Sequence, residues 1–395
     1  RSTLSSSSAA SDVYKRQIRS IEYFVCMDVL IAPDKFKGSL NALEVCKALE
    51  KGVKINPNIN NIFLCPLADG GDGSLDILNY YKDLKPNQVN VKDPLFRNIK
   101  STYYSQNDIA YISLSSASGL ELLSEEERNC MITSSFGTGE LIYDALTKGS
   151  TTINLFIGGS ATNDGAIGIA SALGYRFYDS SENLLSPIGE NLSKIKKIDK
   201  SNIKFDFEKK RIKVICDVNN YLYGKNGAAY VYASQKGANY SQIKELDKGL
   251  KNLESILIDH NFPKIGNIPG SGAAGGVGGG LVAFMDSKLI SGIETFIEIS
   301  QIERKIKNCD LIITGEGKLD SQTRYGKVIS GICSLAKKYK KPIIAVCGDS
   351  DIGIKKSLGI KKVYNILDNS DSIDSAIKNA KYYLSKIGEK IADSI

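Results

Sequence analysis

Aspartate and glycine recur together at five points of the chain, two of which also contain lysine, and each point follows a short apolar run. The five clusters are DKFKGS (34–39), ADGGDGS (68–74), GGSATND (158–164), TGEGKLDSQT (314–323) and GDSD (348–351). Glycine lets backbone amides approach a phosphate, carboxylates bind Mg²⁺, and lysine neutralises the remaining charge. One such cluster could be an ordinary turn. The set of five favours a cleft suited to phosphoryl transfer, where catalysis is mostly positioning and charge neutralisation.

The segments between these clusters predict an α/β protein. From Met27 onward, apolar runs such as DVLIAP and DLIITG alternate with segments whose apolar residues recur at helical spacing. Repeated β–α units build parallel sheets covered by helices, and ligands bind outside the carboxyl ends of the strands. Because the five clusters follow strand ends, we expect them to meet in one cleft.

The order of the units predicts a discontinuous domain. The first strand resembles those of the C-terminal β–α units, so we expect residues 27–90 and 298–395 to share one open parallel sheet. Residues 91–297 would then form an inserted second α/β domain. Residues 1–26 are Ser-rich and lack the apolar stretch of a signal peptide, and we expect them to be a non-native or disordered leader.

Composition argues against several classes of function. Among 395 residues, His260 is the one histidine, which nearly excludes clustered-histidine metal sites. It ends a helical pattern, where a structural role is expected. No apolar run approaches the roughly 20 residues of a membrane span. The net charge of +7 forms no basic block, which disfavours nucleic acid. The eight cysteines form no C-x-x-C pair and indicate reduced thiols in a cytoplasm.

Other nucleotide-binding motifs are absent or weak. No G-x-x-x-x-G-K-[ST] is present, so a P-loop enzyme is not predicted. Gly270-x-Gly272-x-x-Gly275 matches a dinucleotide fingerprint, but prolines precede it where a strand is needed. An NAD-dependent dehydrogenase therefore stays a weaker alternative, and a non-catalytic anion-binding protein is a third.

The glycine-rich run that ends at Gly280 has two interpretations. We expect it to be a loop that cradles an anion through Gly275 and Gly276, before a helix that begins at Leu281. The alternative is close packing of a helix through small residues.

The ordered set of motifs resembles the bacterial glycerate kinase family of the two-domain α/β type. The resemblance covers essentially Met27 to Leu367, with motifs in family order: IAPDKFKGSL, PLADGGDGSLDIL, SASGLELL, FGTGELIYDAL, IGGSATNDGAIGIASALG, CDVNN, GAAYVYASQKGA, PGSGAAGGVGGGL, ITGEGKLDSQTRYGK and AVCGD. It implies a discontinuous flavodoxin-like (Rossmann-like) domain with an inserted α/β domain. It also implies phosphorylation of a D-glycerate hydroxyl by ATP with Mg²⁺, with 2-phosphoglycerate favoured over 3-phosphoglycerate as product.

On this hypothesis ATP–Mg²⁺ and glycerate meet between the two domains. A carboxylate must accept the hydroxyl proton. Asp320 is the leading candidate, and the other candidates are Glu316, Asp69, Asp72 and Asp164. Lys37 is expected to face the phosphates or the substrate carboxylate. Asp72 and Asp164 are expected near the metal, although each acid could instead be a helix cap or turn.

Further residues are expected to bind substrate or nucleotide, with Arg324 as a bidentate partner of the glycerate carboxylate. The full set is Lys35, Ser39, Asp69, Gly70, Gly71, Gly158, Gly159, Ser160, Asn163, Asp164, Gly275, Gly276, Thr323, Arg324 and Lys327. We expect a cytoplasmic enzyme with no nucleic-acid or membrane partner, and the sequence leaves a homo-oligomer open.

Two positions depart from the family pattern. Ser113 stands in the strand before SASGL, where the family usually has Glu, and Tyr221 follows Asn220, where it usually has Pro. The first departure removes a carboxylate, and the second changes a turn.

Overall fold

The computed structural model describes residues 26–71, 73–319, 328–351 and 353–395. The strands are β1 (Met27–Pro33), β2 (Ile59–Leu64), β3 (Lys85–Lys92), β4 (Asn98–Gln106), β5 (Ile109–Ser113), β6 (Thr152–Phe156), β7 (Arg176–Tyr178), β8 (Lys197–Asp199), β9 (Arg211–Ile215), β10 (Lys288–Ile290), β11 (Leu311–Leu319), β12 (Ile343–Ser350) and β13 (Lys362–Asn365).

The α-helices lie between and after these strands along the chain. They are α1 (Ala42–Val53), α2 (Ser74–Tyr81), α3 (Ser115–Ser118), α4 (Phe136–Thr147), α5 (Ile167–Ala172), α6 (Ala228–Tyr232), α7 (Tyr240–Asp259), α8 (Ala273–Met285), α9 (Gly292–Ser300), α10 (Ile302–Asn308), α11 (Val328–Lys338), α12 (Ile354–Leu358), α13 (Ile373–Lys378) and α14 (Ala380–Ala392).

The first sheet joins the two ends of the described chain. Its order is β13-β12-β11-β1-β2, and every neighbouring pair is parallel, with Leu30 opposite Ile312 between β1 and β11. Counting only these five strands, the order is 2-1-3-4-5, which is the flavodoxin-like arrangement. The expected open parallel sheet with a discontinuous chain is therefore confirmed.

Local sequence determines where α1 begins. Asn41 accepts a hydrogen bond from the Glu44 amide at 2.9 Å, and the Glu44 carboxylate accepts one from the Asn41 amide at 3.1 Å. This reciprocal capping box satisfies two backbone donors that the helix cannot. The apolar residues of α1 recur at helical spacing and are buried, with Cys46, Leu49 and Val53 at 0% exposure.

The second sheet is mixed and lies in the middle of the chain. Its order is β10-β9-β6-β5-β4-β3, with parallel pairs from β10 to β5 and antiparallel pairs from β5 to β3. Its first strand, β3, begins at Lys85, a few residues before the boundary expected at residue 90. The division into 27–90 plus 298–395 and 91–297 stays a prediction, although the sheets follow its outline.

Helix α9 connects the two sheets. Ile293 and Phe296 of this helix belong to one buried cluster with Tyr111, Phe156 and Ile215 of the second sheet and with strand residues of the first. The rings of Phe156 and Phe296 lie 6.2 Å apart. A shared apolar contact of this kind fixes how the strand ends of the two sheets face each other.

Three expectations about local structure need correction. The segment that begins at Thr314 continues as strand β11 to Leu319, and β12 continues to Ser350, because the two strands stay paired at Lys318–Asp349. The backbone makes a non-helical turn at Ala274–Gly276, and helix α8 is regular from Val277, before the expected start at Leu281. There the glycines are buried and pack against neighbouring backbone, as the small-residue alternative proposed.

The structural interpretation of His260 is confirmed. It caps the C-terminus of α7, its Nδ1 lies 2.9 Å from the Ile256 carbonyl oxygen, and its Nε2 accepts a hydrogen bond from the Ile198 amide. None of the helices in the described ranges is long and apolar enough to cross a membrane.

Candidate active site

The crevice beside the ends of β1 and β11 opens where the strand order of the first sheet reverses. Doubly wound sheets bind ligands at this point, because neighbouring connections leave in opposite directions. The cavity there has a volume of about 500 Å³. One part is polar and includes Asp34, Lys35, Lys37 and Glu316, and the other is an apolar groove formed by Ile366, Leu367, Ile373, Ala376, Ile377 and Ala380.

Asp34 supplies a carboxyl group with an unusual electrostatic environment. It directly follows β1, is 6% exposed, and accepts a hydrogen bond from the Lys35 amide at 2.7 Å. Burial, and then the neighbouring charge of Asp69, raise its pKa well above the ordinary value. Carboxyl groups that repel one another in this way attract a cation into the crevice.

A second cavity, of about 330 Å³, lies between the loops of the two sheets. Its walls come from the Asp69–Gly71 loop after β2, the Gly158–Ser160 loop after β6, the end of β9 and the start of α8. Lys37 and Asp69 line both cavities. The two cavities therefore adjoin, with one cation and one carboxylate at their junction.

Glycines bring the loops around this junction close together. Gly70 has a φ of +86°, and a Cβ there would lie 2.8 Å from Ile215 Cγ2. A Cβ on Gly292 would lie 2.1 Å from the Asp69 carbonyl oxygen. Side chains at either position would separate the loop after β2 from β9 and α9, so both glycines are required by close approach.

Asp217 enters the second cavity from the end of β9. Its Oδ1 accepts hydrogen bonds from Ser291 Oγ at 3.0 Å and from the Gly292 amide at 2.7 Å, which orients the carboxyl group. Its Oδ2 has no hydrogen-bond partner among the described residues. Burial, with a contribution from Asp69, raises the pKa of Asp217 to about 7, the range suited to a general base.

Lys236, at the end of the short helical turn 234–236, also lines this cavity. It is 2% exposed, and its Nζ donates hydrogen bonds to Ser160 Oγ and the Thr162 carbonyl oxygen at 2.6 and 2.7 Å. Burial lowers the pKa of Lys236 to about 8. The cavity thus carries a buried amine as well as a buried carboxyl group.

The structure brings together most of the described residues that were expected to bind ligands. Lys35, Lys37, Ser39, Asp69 and Glu316 line the larger cavity, and Gly70, Gly71, Gly158, Gly159 and Ser160 line the smaller one. Asn163, Asp164, Gly275 and Gly276 line neither cavity. Asp72, Asp320, Thr323, Arg324 and Lys327 lie outside the described residues, so their roles stay predictions.

Asp164 organises the protein interior. It is fully buried, and its Oδ2 accepts hydrogen bonds from the amide and hydroxyl of Ser135, both at 2.7 Å. The amides of Ala166 and Gly168 donate at 3.3 Å to Oδ1 and Oδ2, respectively. The Asp164 carboxylate therefore joins the backbone at Ser135 to the backbone at Ala166 and Gly168. The metal role expected for Asp164 stays a prediction without geometric support.

Gly275 and Gly276 form a left-handed turn at the start of α8. Their φ values are +70° and +90°, and a Cβ on Gly275 would lie 2.1 Å from the Thr162 carbonyl oxygen. The turn therefore packs against the protein's own backbone. Indirectly it supports the loop that carries Ser160.

Three site residues were not singled out from the sequence: Asp34, Asp217 and Lys236. Asp34 begins the DKFKGS cluster, whereas Asp217 and Lys236 lie within CDVNN and GAAYVYASQKGA. Neither of the last two motifs has the glycine–acid pattern that identifies a phosphate loop. A signal was present only in the family resemblance, because both motifs belong to the ordered set.

The two departures from the family pattern have different locations. The Ser113 hydroxyl has a local partner, because its Oγ lies 2.8 Å from Ser115 Oγ. Ser113 lines neither cavity. Tyr221 is 45% exposed and forms an isolated bridge with Gly227.

The donor set of the larger cavity fits Mg²⁺ carried by a nucleotide. Within the described residues no group of three or more His, Cys, Asp or Glu side chains could by itself hold a metal ion. Mg²⁺ usually needs fewer, because it binds one or two carboxylates together with substrate phosphates and water. Asp34 and Glu316 supply hard oxygen ligands of this kind beside Lys35 and Lys37.

A flavodoxin-like sheet, an acid- and lysine-lined crevice at its switch point, and an adjoining small polar cavity define a small-molecule phosphotransferase of the two-domain α/β type. The chain belongs to the glycerate kinase family, whose model matches residues 29–395.

Named relatives and a solved structure agree with this membership. The chain is 38% identical to a glycerate kinase of Halalkalibacterium halodurans over 92% of this chain and 97% of the relative. It is also 38% identical to the glycerate 2-kinase of Escherichia coli K12, over 93% and 98%. A crystal structure from Salmonella typhimurium LT2 named for glycerate kinase 2 is similar, with a TM-score of 0.79, 36% identity, and coverage of 93% of this chain and 98% of that chain.

Proposed function

We propose that this enzyme transfers the γ-phosphoryl group of ATP to the 2-hydroxyl of D-glycerate, with Mg²⁺, in the cytoplasm. The observation that carries the proposal is the pair of adjoining cavities that share Lys37 and Asp69. A kinase needs one site for each substrate and a junction at which a charge-neutralising group meets the transferred phosphoryl. The name of the Escherichia coli relative, glycerate 2-kinase, supports the 2-hydroxyl.

The larger cavity suits ATP. Its apolar groove, which includes Ile373, Ala376 and Ile377 of α13, can hold the base, and its polar part can hold the phosphates. Asp34 and Glu316 would hold Mg²⁺ there, and Lys35 and Lys37 would neutralise phosphate charge. A metal ion held by these two carboxylates would supply Lewis-acid stabilisation of the phosphate charge.

The smaller cavity suits a three-carbon hydroxy acid. Its volume of about 330 Å³ accommodates glycerate, and Gly158–Ser160 offers backbone approach to the substrate. Lys37 at the junction would face the phosphoryl group during transfer, when its charge moves between oxygens.

Two carboxylates are candidates for accepting the hydroxyl proton. Asp320 was expected from the sequence, and Asp217 is the described carboxylate that lines the cavity with a pKa near neutrality. A base poised near the working pH accepts a proton without binding it too tightly. Comparing kcat of Asp217→Asn with that of Asp320→Asn assigns the role to the variant with the larger loss.

The proposal is tested by ADP release with purified enzyme, ATP and Mg²⁺. We expect turnover with D-glycerate, and little with glycerol. Phosphorus NMR of the product should show 2-phosphoglycerate, which enolase converts directly to phosphoenolpyruvate. ADP release without a phosphorylated acid would reject the proposal, and 3-phosphoglycerate as the product would reject the assigned hydroxyl.

The competing functions predict other results. A dehydrogenase requires a strand before the G-x-G-x-x-G match, and none is described between α7 and α8. A binding protein would retain ligands without ADP release.

The eight cysteines are free thiols, which supports a cytoplasmic location.

A further inference from the structure

Lys236 is held rigidly at the wall of the smaller cavity. It ends the short helical turn Ser234–Lys236, and Gly237 follows with a φ of +89°. A Cβ on Gly237 would lie 1.8 Å from the Arg128 carbonyl oxygen, and the Lys236 carbonyl accepts a hydrogen bond from the Cys130 amide at 3.1 Å. The backbone around Lys236 is therefore fixed on both sides.

Among the described residues, the amine of Lys236 has neutral partners but no counter-ion. An ammonium group has three N–H donors, and two of them bind Ser160 Oγ and the Thr162 carbonyl oxygen. Within the described ranges no carboxylate lies within 4.0 Å of its Nζ. The nearby carboxylate of Asp164 is already bonded to Ser135 and backbone amides.

Burying an unpaired charge is unfavourable, and proteins seldom retain one without a partner. Here burial lowers the pKa of the amine to about 8, while Cys130 and Asp164 oppose that shift. The side chain nevertheless lines the cavity together with Asp69 and Asp217. An anion that enters the cavity would supply the missing counter-charge.

We propose that Lys236 is the carboxylate-binding residue of this cavity, whose Nζ donates a charge-assisted hydrogen bond to the carboxylate of the acceptor and selects hydroxy acids over neutral polyols. This assignment rests on the proposed function of the site. It deepens that function by naming a residue that recognises the acid group. Arg324 was expected in this role from the sequence and stays a prediction.

The positions of two lysines indicate which end of the acceptor faces the phosphates. Lys37 lines both cavities and is placed at their junction, whereas Lys236 lines only the smaller cavity. Phosphoryl transfer occurs where the two substrates meet, so the junction lysine faces the phosphate. The carboxylate, at the other end of a short acceptor, then lies toward Lys236.

The test compares Lys236→Met with wild type on D-glycerate and on its neutral amide, D-glyceramide. We expect kcat/KM for D-glycerate to fall at least about 30-fold, because removal of one partner of a buried charged pair has a large effect. Activity on D-glyceramide should change less than threefold, and KM for ATP should stay constant. Lys248→Met, an exposed lysine on α7, is the matched control and should match wild type.

A proton-uptake measurement on the wild-type enzyme needs no variant. Calorimetry at pH 9, in buffers of different ionisation enthalpy, should show proton uptake when D-glycerate binds, because the anion favours charged Lys236. D-glyceramide should cause none. The other titratable or charged groups that face the amine or line the cavity are Cys130, Asp164, Lys37, Asp69, Asp217, Cys216 and Tyr232. Asp217 is ionised at pH 9, about two pH units above its pKa.

Equal losses on D-glycerate and D-glyceramide would overturn the assignment, because a structural role for Lys236 affects both compounds alike. Absence of proton uptake by wild type would overturn it as well. Failure of wild type to phosphorylate D-glycerate would reject the proposed function instead. The calorimetric result would then still decide whether Lys236 binds a carboxylate.

Discussion

Replacing Asp217 with Asn should make the protein more stable at alkaline pH and less active. The pKa of Asp217 lies near 7 in the folded protein against an ordinary value of 3.8, because burial and then the charge of Asp69 disfavour its ionised form. The folded state therefore binds this proton more tightly than the unfolded chain does. Its contribution lowers the free energy of unfolding as pH rises from about 4 to about 7.

The magnitude follows from the two pKa values. At 1.36 kcal/mol for each pH unit, the charged carboxylate destabilises the fold by roughly 4 kcal/mol at pH 8. Asn keeps the acceptor for Ser291 and Gly292 and carries no charge, so most of this penalty should disappear. We expect the free energy of unfolding of Asp217→Asn to exceed that of wild type by about 2–4 kcal/mol at pH 8. At pH 4 the difference should be smaller than about 1 kcal/mol.

The assay is urea unfolding followed by circular dichroism at pH 4, 6 and 8, with kcat measured on the same samples. Asp83→Asn, which neutralises an exposed carboxylate between α2 and β3, is the control and should follow wild type at each pH. If the difference between Asp217→Asn and wild type were the same at pH 4 and pH 8, the electrostatic reasoning would be refuted.

Three further substitutions separate structural from functional roles. Asp164→Asn should lower the free energy of unfolding by about 1–3 kcal/mol, because Asn replaces one of two acceptor oxygens with an NH2 group and leaves a buried backbone donor unsatisfied, and the Mg²⁺ dependence of the remaining activity should be unchanged. A shifted Mg²⁺ requirement would instead support a metal role. Ile377→Glu should raise KM for ATP at least about tenfold and leave KM for glycerate unaltered, because it places charge in the apolar groove; a rise in both would contradict the nucleotide site. Gly275→Ala should lower the melting temperature, since its Cβ would collide with the Thr162 carbonyl oxygen, and an unchanged melting temperature would contradict that packing.

The features that could be predicted from the sequence are those determined by neighbouring residues. The helix start at Asn41 depends on a side chain three positions away, and the buried strand β1 depends on its own apolar run. The positions of Lys37, Asp69 and Ser160 followed from the rule that parallel strands align their carboxyl ends. That rule needs only that the strands are parallel, which the β–α alternation predicted.

The remaining features depend on contacts between distant segments. Lys236 is distinguished only by burial beside Ser160, 76 positions earlier, and Asp217 by its contact with Gly292, 75 positions later. The glycine run before α8 has the composition of a phosphate loop, but Gly275 is required by the backbone at Thr162. Local composition does not distinguish a glycine that approaches a ligand from one that approaches another loop.

The most direct test of the two-cavity arrangement is a crystal structure with D-glycerate, Mg²⁺ and a non-hydrolysable ATP analogue. We predict the base in the groove beside Ile377, the γ-phosphate next to Lys37, and the glycerate 2-hydroxyl facing it from the smaller cavity. The nucleotide base in the smaller cavity, or glycerate bound away from Lys37 and Asp69, would contradict the arrangement.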